Sequence, residues 1–395
     1  MTQDKKIIIG TPYIKAPENG FVSMNIPVSK NGIKEEIFFS VREEYGKYLV
    51  DDRNDATVVA FLPFAMSNGF DIISEAPVSG RLLYSVNHII IPLLSANIED
   101  FKRVKVIAEP TDRISSCAGA TGLCWTGGVD CMYSLCQSMN SGDMRKVTHL
   151  LTADHGGIES TNHRETLLKM EERFKNGIAP EIGAESVIIF TNLQEHLNEP
   201  FLAVECFRNA SVVLSLQKLW NIFYVSTTYD FNFLAYEKDN CGYYDTFLFE
   251  LFSTENTAVH PVGGDVPRIK KLEALSSFEP AYRHLHPCIY ASSEHNCSVC
   301  SKCIRTMTAL DVLGTLEKFE NVFDVKLFES KKDDYYAQIL SQSKNAHYYE
   351  IISVMNEKGL KFTETAQRKA RILSAAKRIV KENNEVLRKQ LNIKD

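Results

Sequence analysis

Gly122-Leu123-Cys124-Trp125-Thr126-Gly127-Gly128-Val129-Asp130-Cys131 is the stretch on which the fold turns. Gly122–Trp125 reads as a short apolar strand that ends in Thr126-Gly127-Gly128, and Val129–Met139 continues as a helix. Two glycines at a strand-to-helix turn let backbone N–H groups converge without interference from Cβ atoms. With the helix start they form a nest for an anion. Asp130 would repel a bare phosphate, but it suits a nest in which Mg²⁺ bridges carboxylate and phosphate oxygens. The plain alternative is an ordinary Gly-Gly turn, with Thr126 as a cap and an acid favourably placed in the first helical turn.

Downstream, strands alternate with helical stretches. Val147–Thr152 is a second strand, followed by a helix from about Arg164 to Phe174, and Val187–Phe190 is a third strand. Ala210–Trp220 carries Val212, Val213, Leu216, Leu219 and Trp220 on a helical face, and Ile222–Val225 is a fourth strand. This alternation predicts an α/β fold with a doubly wound parallel sheet and ligands at the carboxyl ends of its strands. Upstream, Lys6–Ile9, Phe21–Val28, Glu36–Val41 and Thr57–Phe64 read as strands between turn residues, which predicts an antiparallel, β-rich accessory domain. Beyond Thr315 the chain reads as helical and charged. The expected domains are therefore 1–105, 106–315 and 316–395. In Thr365–Leu391, Ile372, Ala376, Ile379, Val380 and Leu387 share a stripe, while Arg368, Lys369, Arg371, Lys377, Arg378, Lys381, Arg388 and Lys389 cover other faces. That pattern is an amphipathic helix packed on the body, with a basic partner-binding or RNA-binding face as the alternative.

Composition narrows the class. The 395 residues are 44% hydrophobic and 24% charged, which excludes a disordered chain, a collagen-like repeat and a long coiled coil. No apolar run approaches the length that spans a bilayer, and Ile7-Ile8-Ile9 is too short for the core of a secretory signal, so the expectation is a cytoplasmic protein without membrane contact. A net charge of −6 makes nucleic acid an unfavoured partner. The chain contains no G-x-x-x-x-G-K-[ST] and no G-x-G-x-x-G, which argues against a Walker ATPase and a dinucleotide-binding dehydrogenase.

Ten cysteines are too sparse for a disulfide framework. Four of them, however, form Cys288-x8-Cys297-Ser298-Val299-Cys300-Ser301-Lys302-Cys303. Four thiolates at this spacing suit tetrahedral Zn²⁺, in a closed structural site with no position left for water. An iron–sulfur cluster also takes four cysteines. His284, His286 and His295 are near enough in sequence to serve as substitute ligands.

Thr126-Gly127-Gly128-Val129-Asp130-Cys131 resembles the S-G-G-x-D-S signature of the PP-loop ATP pyrophosphatases, a superfamily with a HUP-like fold that splits ATP between its α and β phosphates. Thr126 keeps the hydroxyl of the first Ser, while Cys131 exchanges the last Ser for a weaker hydrogen-bond donor. Asn296-Cys297-Ser298-Val299-Cys300-Ser301-Lys302-Cys303-Ile304-Arg305-Thr306 is similar to the N-C-G-x-C-x-K-C-x-R-T of 7-cyano-7-deazaguanine synthase and its divergent relatives. Ser253-Thr254-Glu255, His260 and Arg268-x2-Lys271 look like a divergent group's pattern. The resemblance covers about residues 115–315. It implies ATP, Mg²⁺ and Zn²⁺ as cofactors, with Thr126, Gly127, Gly128, Val129, Asp130, Cys131 and Asp154 at the nucleotide. It further implies Asp130, Arg268 and Lys271 in catalysis, and Cys288, Cys297, Cys300 and Cys303 on the metal. Asp154 and His155 would lie by the adenosine, with helix capping as the alternative for Asp154. Asp230, Tyr243 and Asp245 would lie on the substrate side.

The implied activity is adenylylation of a small-molecule or peptide carboxylate, or of an amide, with release of pyrophosphate. The extra N- and C-terminal regions fit a specialised relative, in anti-phage defence or a cell-envelope pathway. Rival readings are a catalytically weak nucleotide-binding scaffold, a muropeptide glutamate epimerase-like enzyme and an RNA-modifying enzyme. Protein contacts through the N-terminal domain or C-terminal helix, and a homodimer, are further expectations. A helix start lowers a thiol pKa, so Cys131 is expected to be reactive.

Overall fold

The computed structural model describes residues 5–157 and 162–390, with side chains described through residue 379. The chain is a mixed α/β protein with a β-rich N-terminal region and C-terminal helices, and it divides into two compact units. The first comprises 1–266 with 290–294, and the second 267–289 with 295–395. These limits differ from the expected boundaries near 105 and 315.

The first unit is built on one 11-stranded sheet among the described residues. Its main strands are β1 (Lys6–Ile9), β2 (Phe21–Lys30), β3 (Ile33–Arg42), β4 (Asp71–Ser74), β5 (Val106–Ile107), β6 (Ala120–Cys124), β7 (His149–Asp154), β8 (Glu185–Thr191), β9 (Trp220–Ser226) and β10 (Ala258–Val262). They lie in the order β10-β9-β6-β7-β8-β3-β2-β1-β4-β5. Strands β6 to β10 are mutually parallel, and the direction of travel across the sheet reverses between β6 and β9. In open α/β sheets the crevice at such a reversal is where ligands bind.

The N-terminal strands are not a separate sheet. Strand β3 pairs antiparallel with β8, with Val41 opposite Ile189 and Phe39 opposite Thr191. Strand β3 alternates, with Ile37, Phe39 and Val41 fully buried, whereas β2 does not, since Phe21, Val22, Met24, Asn25 and Ile26 are all buried and both of its faces are covered. What short-range patterning does not reveal is that their free edge is taken by a strand about 150 residues away.

Two further expectations need correction. Thr57–Phe64 lies within helix α1 (Asp55–Asn68), not a strand. Its Thr57-Val58-Val59 start favours strand locally, but residues 55–63 are buried on every side, which leaves no hydrophobic periodicity to read. Gly69, at φ +71°, ends the helix in the left-handed region. The helix expected over Ala210–Trp220 is instead the end of a longer one that starts at Phe201 and stops at Leu214, and Trp220 opens β9. The helices of the parallel half are α2 (Val129–Asn140), α3 (His163–Asn176) and α4 (Phe201–Leu214). Helix α1 packs against α4 within the main core.

The second unit is helical: α5 (Arg268–Leu275), α6 (Ser301–Leu313), α7 (Val325–Leu340), α8 (Ala346–Glu357) and α9 (Glu364–Gln390). Helix α9 packs on α7 through its first two turns, where Ala366 and Ala370 are buried. From Arg371 to Ile379 its side chains are all exposed, so among the residues whose side chains are described the helix packs on the body at its base. The side chains of Val380, Lys381, Leu387, Arg388 and Lys389, and the whole of Leu391, lie outside the described residues.

Candidate functional site

The turn between β6 and α2 is pinned to its neighbour strand. The Trp125 N–H donates to the Leu151 carbonyl at 2.7 Å, and the Thr152 hydroxyl donates to the Trp125 carbonyl at 2.8 Å. Gly127 sits at φ +82°, a conformation that L side chains rarely adopt. Gly128 is the N-cap of α2, at φ −72° and ψ 175°, which any residue adopts. As a glycine it has no side chain to accept from the first-turn amides, so their capping is left to solvent or a ligand. A Cβ built on Gly128 meets only the Thr126 hydroxyl, at 3.5 Å. Neither backbone geometry nor crowding therefore demands a glycine at 128.

Thr126 is exposed and Asp130 half-buried in the first turn of α2. Cys131 is 7% exposed; its thiol donates to the Gly128 carbonyl at 3.3 Å and lies 3.8 Å from the Thr126 hydroxyl. Burial pushes the Cys131 thiol up, against the opposing effect of hydrogen bonds from the Thr126 and Gly127 region. The expectation of a lowered thiol pKa is thus reversed, because desolvation outweighs the helix start. One turn further on, the Ser134 and Ser226 hydroxyls meet at 2.8 Å and tie α2 to the end of β9 across the strand-order reversal.

Asp154 ends β7, buried, with one carboxylate oxygen 3.4 Å from His163 Nδ1. Burial raises its pKa, and His163 opposes that rise. It does not cap α3; Asn162 does, accepting from the Glu165 N–H. His155 is buried against Phe201, with Nε2 2.7 Å from Asn209 Oδ1, and burial pushes it down to about 4. The ring is therefore neutral at pH 7. Arg208, also buried, donates to the His155 and Leu197 carbonyls at 3.0 and 2.7 Å.

Beyond β9, Asp230 caps the short turn Phe231–Phe233, and Tyr243 stacks on Tyr229 with centroids 4.4 Å apart. Asp245 is 4% exposed and accepts from the Thr228 N–H at 3.1 Å; burial pushes it up to about 8. It is mostly protonated at pH 7, a state that its position in the sequence does not announce. The Ser253-Thr254-Glu255 string is architectural. The Ser253 hydroxyl accepts from the Val259 N–H, the Thr254 hydroxyl from the Asn256 and Thr257 N–H groups, and Glu255 from the Arg81 N–H. His260 pairs with Glu250 at 2.8 Å.

In the second unit the four expected cysteines converge. One sulfur from each of Cys288, Cys297, Cys300 and Cys303 lies within 4.8 Å of all the others, and among the described residues no histidine joins the grouping. Four sulfurs about 2.3 Å from one ion stand about 3.8 Å apart, and Cys297 and Cys303 are separated by 3.9 Å. An iron–sulfur cubane places each thiolate on a different iron and needs a wider spacing. The cluster is therefore compatible with zinc. Backbone N–H groups of Cys297, Cys300 and Cys303 donate to the sulfurs of Cys288, Cys297 and Cys300 at 3.3–3.4 Å. Burial pushes the Cys300 thiol up, but hydrogen bonds led by the Ile289 and Cys303 N–H groups outweigh it and hold the thiol at about 7.

Asn296 is the supporting residue that ligand spacing alone does not identify. Its carbonyl oxygen accepts from the Cys288 N–H at 3.2 Å, and its amide donates to the Leu285 and Val322 carbonyls at 2.9 and 2.8 Å. The signal for it in the sequence is its position directly before the first cysteine of the run. Ser298, at φ +58°, makes the tight turn between Cys297 and Cys300. Arg268 opens α5, with one guanidinium nitrogen 3.3 Å from His347, and Lys271 is 1% exposed. Lys271 is thus buried rather than presented to solvent. A groove of about 580 Å³ lined by Leu340, Gln367, Ala370, Arg371, Ser374, Ala375 and Arg378 contains none of the expected site residues.

No family model, curated protein or solved structure matches this chain. Among the described residues, no helix is long and apolar enough to cross a membrane.

Proposed function

We propose that the first unit is a doubly wound, PP-loop-type nucleotide domain and that the Thr126–Cys131 turn receives the β- and γ-phosphates of ATP. The observation that carries this reading is the coincidence of the uncapped Gly127-Gly128 turn with the reversal in strand order beside β6. The amides of the turn and of the α2 N-terminus supply donors for an anion. Asp130, in that first turn, is the residue that would hold Mg²⁺, which when bound neutralises phosphate charge.

In the reaction, a carboxylate oxygen of the substrate attacks the α-phosphorus. The bond from that phosphorus to the bridging oxygen breaks, and pyrophosphate leaves with the electron pair. An acyl-adenylate remains, and a nucleophile then displaces AMP. The chain's contribution is orientation and electrostatic stabilisation of the leaving pyrophosphate. Zn²⁺ on Cys288, Cys297, Cys300 and Cys303 is structural in this scheme.

The Cys131 thiol, which turns back onto the Gly128 carbonyl, favours a second reading: a nucleotide-binding scaffold with weak turnover. Exchange of labelled pyrophosphate into ATP, run across a panel of carboxylates with Mg²⁺, decides between them. Exchange that is abolished in Asp130→Ala supports the adenylylating enzyme. Nucleotide binding without exchange supports the scaffold, and ADP as the main product rejects both.

A further inference from the structure

Asp154 and His163 meet at the carboxyl edge of the sheet, one strand over from the Thr126–Cys131 turn. The parallel register sets Cys124 of β6 level with Leu151 of β7, so the turn and Asp154 leave neighbouring strands that lie about 5 Å apart. The Asp154 side chain is 7% exposed and that of His163 40%, and Oδ1 of the first lies 3.4 Å from Nδ1 of the second. Both atoms are shut off from solvent, and among the described residues neither has a hydrogen-bond partner elsewhere. With Nδ1 buried, the exposed part of the ring is the opposite edge, which carries Nε2. In the pairs His149–Glu185 and His260–Glu250, by contrast, the carboxylate is itself exposed.

The start of α3, which carries His163, is held in place. Asn162 caps the helix by accepting from the Glu165 N–H at 3.2 Å. The Arg164 guanidinium lies over the Phe21 and Phe190 rings, 4.8 and 4.6 Å from their centroids, and Glu171 pairs with Arg42. The helix is thereby fixed to β2, β3 and β8. A buried carboxylate facing Nδ1 favours the tautomer with its proton there, which leaves the Nε2 lone pair bare on the exposed edge. That is the arrangement of a general base. His155 is not so arranged, because its ring is buried and its Nε2 is committed to Asn209. We infer that His163, oriented by Asp154, takes the proton of the nucleophile that displaces AMP.

This inference rests on the adenylylation reading and assigns a residue to its second step. The nucleophile is an amine, ammonia or water, and each must lose a proton to complete the transfer. Its nitrogen or oxygen bonds to the acyl carbon, the bond from that carbon to the phosphate oxygen breaks, and AMP leaves with the electron pair. The proton passes to Nε2. In the first step the attacking carboxylate carries no proton, so adenylylation needs no base. His163 is therefore catalytic in the second step alone, and Asp154 is a positioning residue.

Exchange of labelled pyrophosphate reads the first step, and AMP release with the same carboxylate and ammonium chloride reads the whole reaction. His163→Gln should slow AMP release about 10²–10⁴-fold while exchange persists. His163→Gly should be slowed likewise and should recover with added imidazole, which a merely structural role would not allow. Asp154→Asn should lower kcat for AMP release at an unchanged KM for ATP, which separates positioning of the imidazole from contact with the nucleotide. In the parent protein labelled with nitrogen-15 in its histidines, the neutral His163 ring, assigned against His163→Gln, should be protonated on Nδ1 and bare on Nε2. A neutral ring protonated on Nε2, AMP release unchanged in His163→Gln, exchange lost together with release in a folded variant, or a parent that exchanges without releasing AMP would each overturn the proposal. A parent that exchanges with no carboxylate would instead overturn the adenylylation reading itself, and with it the step assigned to this pair.

Discussion

Substituting Gly128 by Ala separates what the fold needs from what a ligand needs. The residue's backbone is extended, and the added methyl would contact only the Thr126 hydroxyl, at an ordinary 3.5 Å. The folded state therefore accepts alanine, and the less flexible unfolded chain adds about 0.4–1 kcal/mol of stability. For a unit of this size that corresponds to a melting point unchanged or raised by about 1–4 °C. If the turn receives a phosphate as proposed, the same methyl would crowd the anion against the turn, and losing two or three amide contacts would cost about 2–4 kcal/mol of ATP binding. Gly127→Ala should behave in the opposite sense for stability. At φ +82° it forces a side chain into the left-handed region, costing about 1–2 kcal/mol. Differential scanning fluorimetry with and without ATP and Mg²⁺ reads both effects together. Gly128→Ala that binds ATP like the parent protein would refute the reasoning. So would a Gly128→Ala variant destabilised as much as Gly127→Ala.

Three other outcomes follow from the geometry. Asn296→Ala should weaken zinc binding about 10- to 100-fold, since Asn296 holds the Cys288 backbone and two flanking carbonyls, and a competition titration against a chromophoric chelator measures it. Asp55, fully buried between the Ser79 N–H and Gln217, is pushed up to about 6 by desolvation, so the folded state binds its proton more tightly than the unfolded chain. Its contribution is therefore most favourable below about pH 4 and falls by about 3 kcal/mol as pH rises to about 6. Urea unfolding of the parent and Asp55→Asn proteins at several pH values should show their difference growing over that window, and a flat difference counts against it. Cys131 should resist iodoacetamide at neutral pH in the folded protein, with or without nucleotide, as mapped by mass spectrometry; rapid labelling would refute this.

Much of the parallel half was legible because its strands are short apolar runs bounded by turn residues. The Cys288–Cys303 spacing was equally readable, since ligand geometry is encoded in a single local segment. Helix α1 was not, because a helix buried on all sides shows no amphipathic period. Nor was the joining of β3 to β8, where Val41 and Ile189 meet only through long-range pairing. The raised pKa values of Asp55 and Asp245 and the lowered one of His155 come from burial, which depends on packing and not on neighbours in sequence. The burial of Lys271 likewise comes from packing that its neighbours in sequence do not announce.

The pairing of β3 with β8 also sets an order of events for a chain emerging from the ribosome. The β2–β3 hairpin is synthesised early, but the strand that covers its outer edge appears only after a further 140 or so residues. Until then Phe39 and Val41 belong to an open sheet edge, the kind of surface that invites pairing with the wrong chain. Closing so distant a pair is also entropically slow, so the sheet should be completed late and as a single cooperative step. A version of the protein with the β1–β5 segment moved behind β10 would shorten that wait for β8, and its refolding yield is where the difference would be felt.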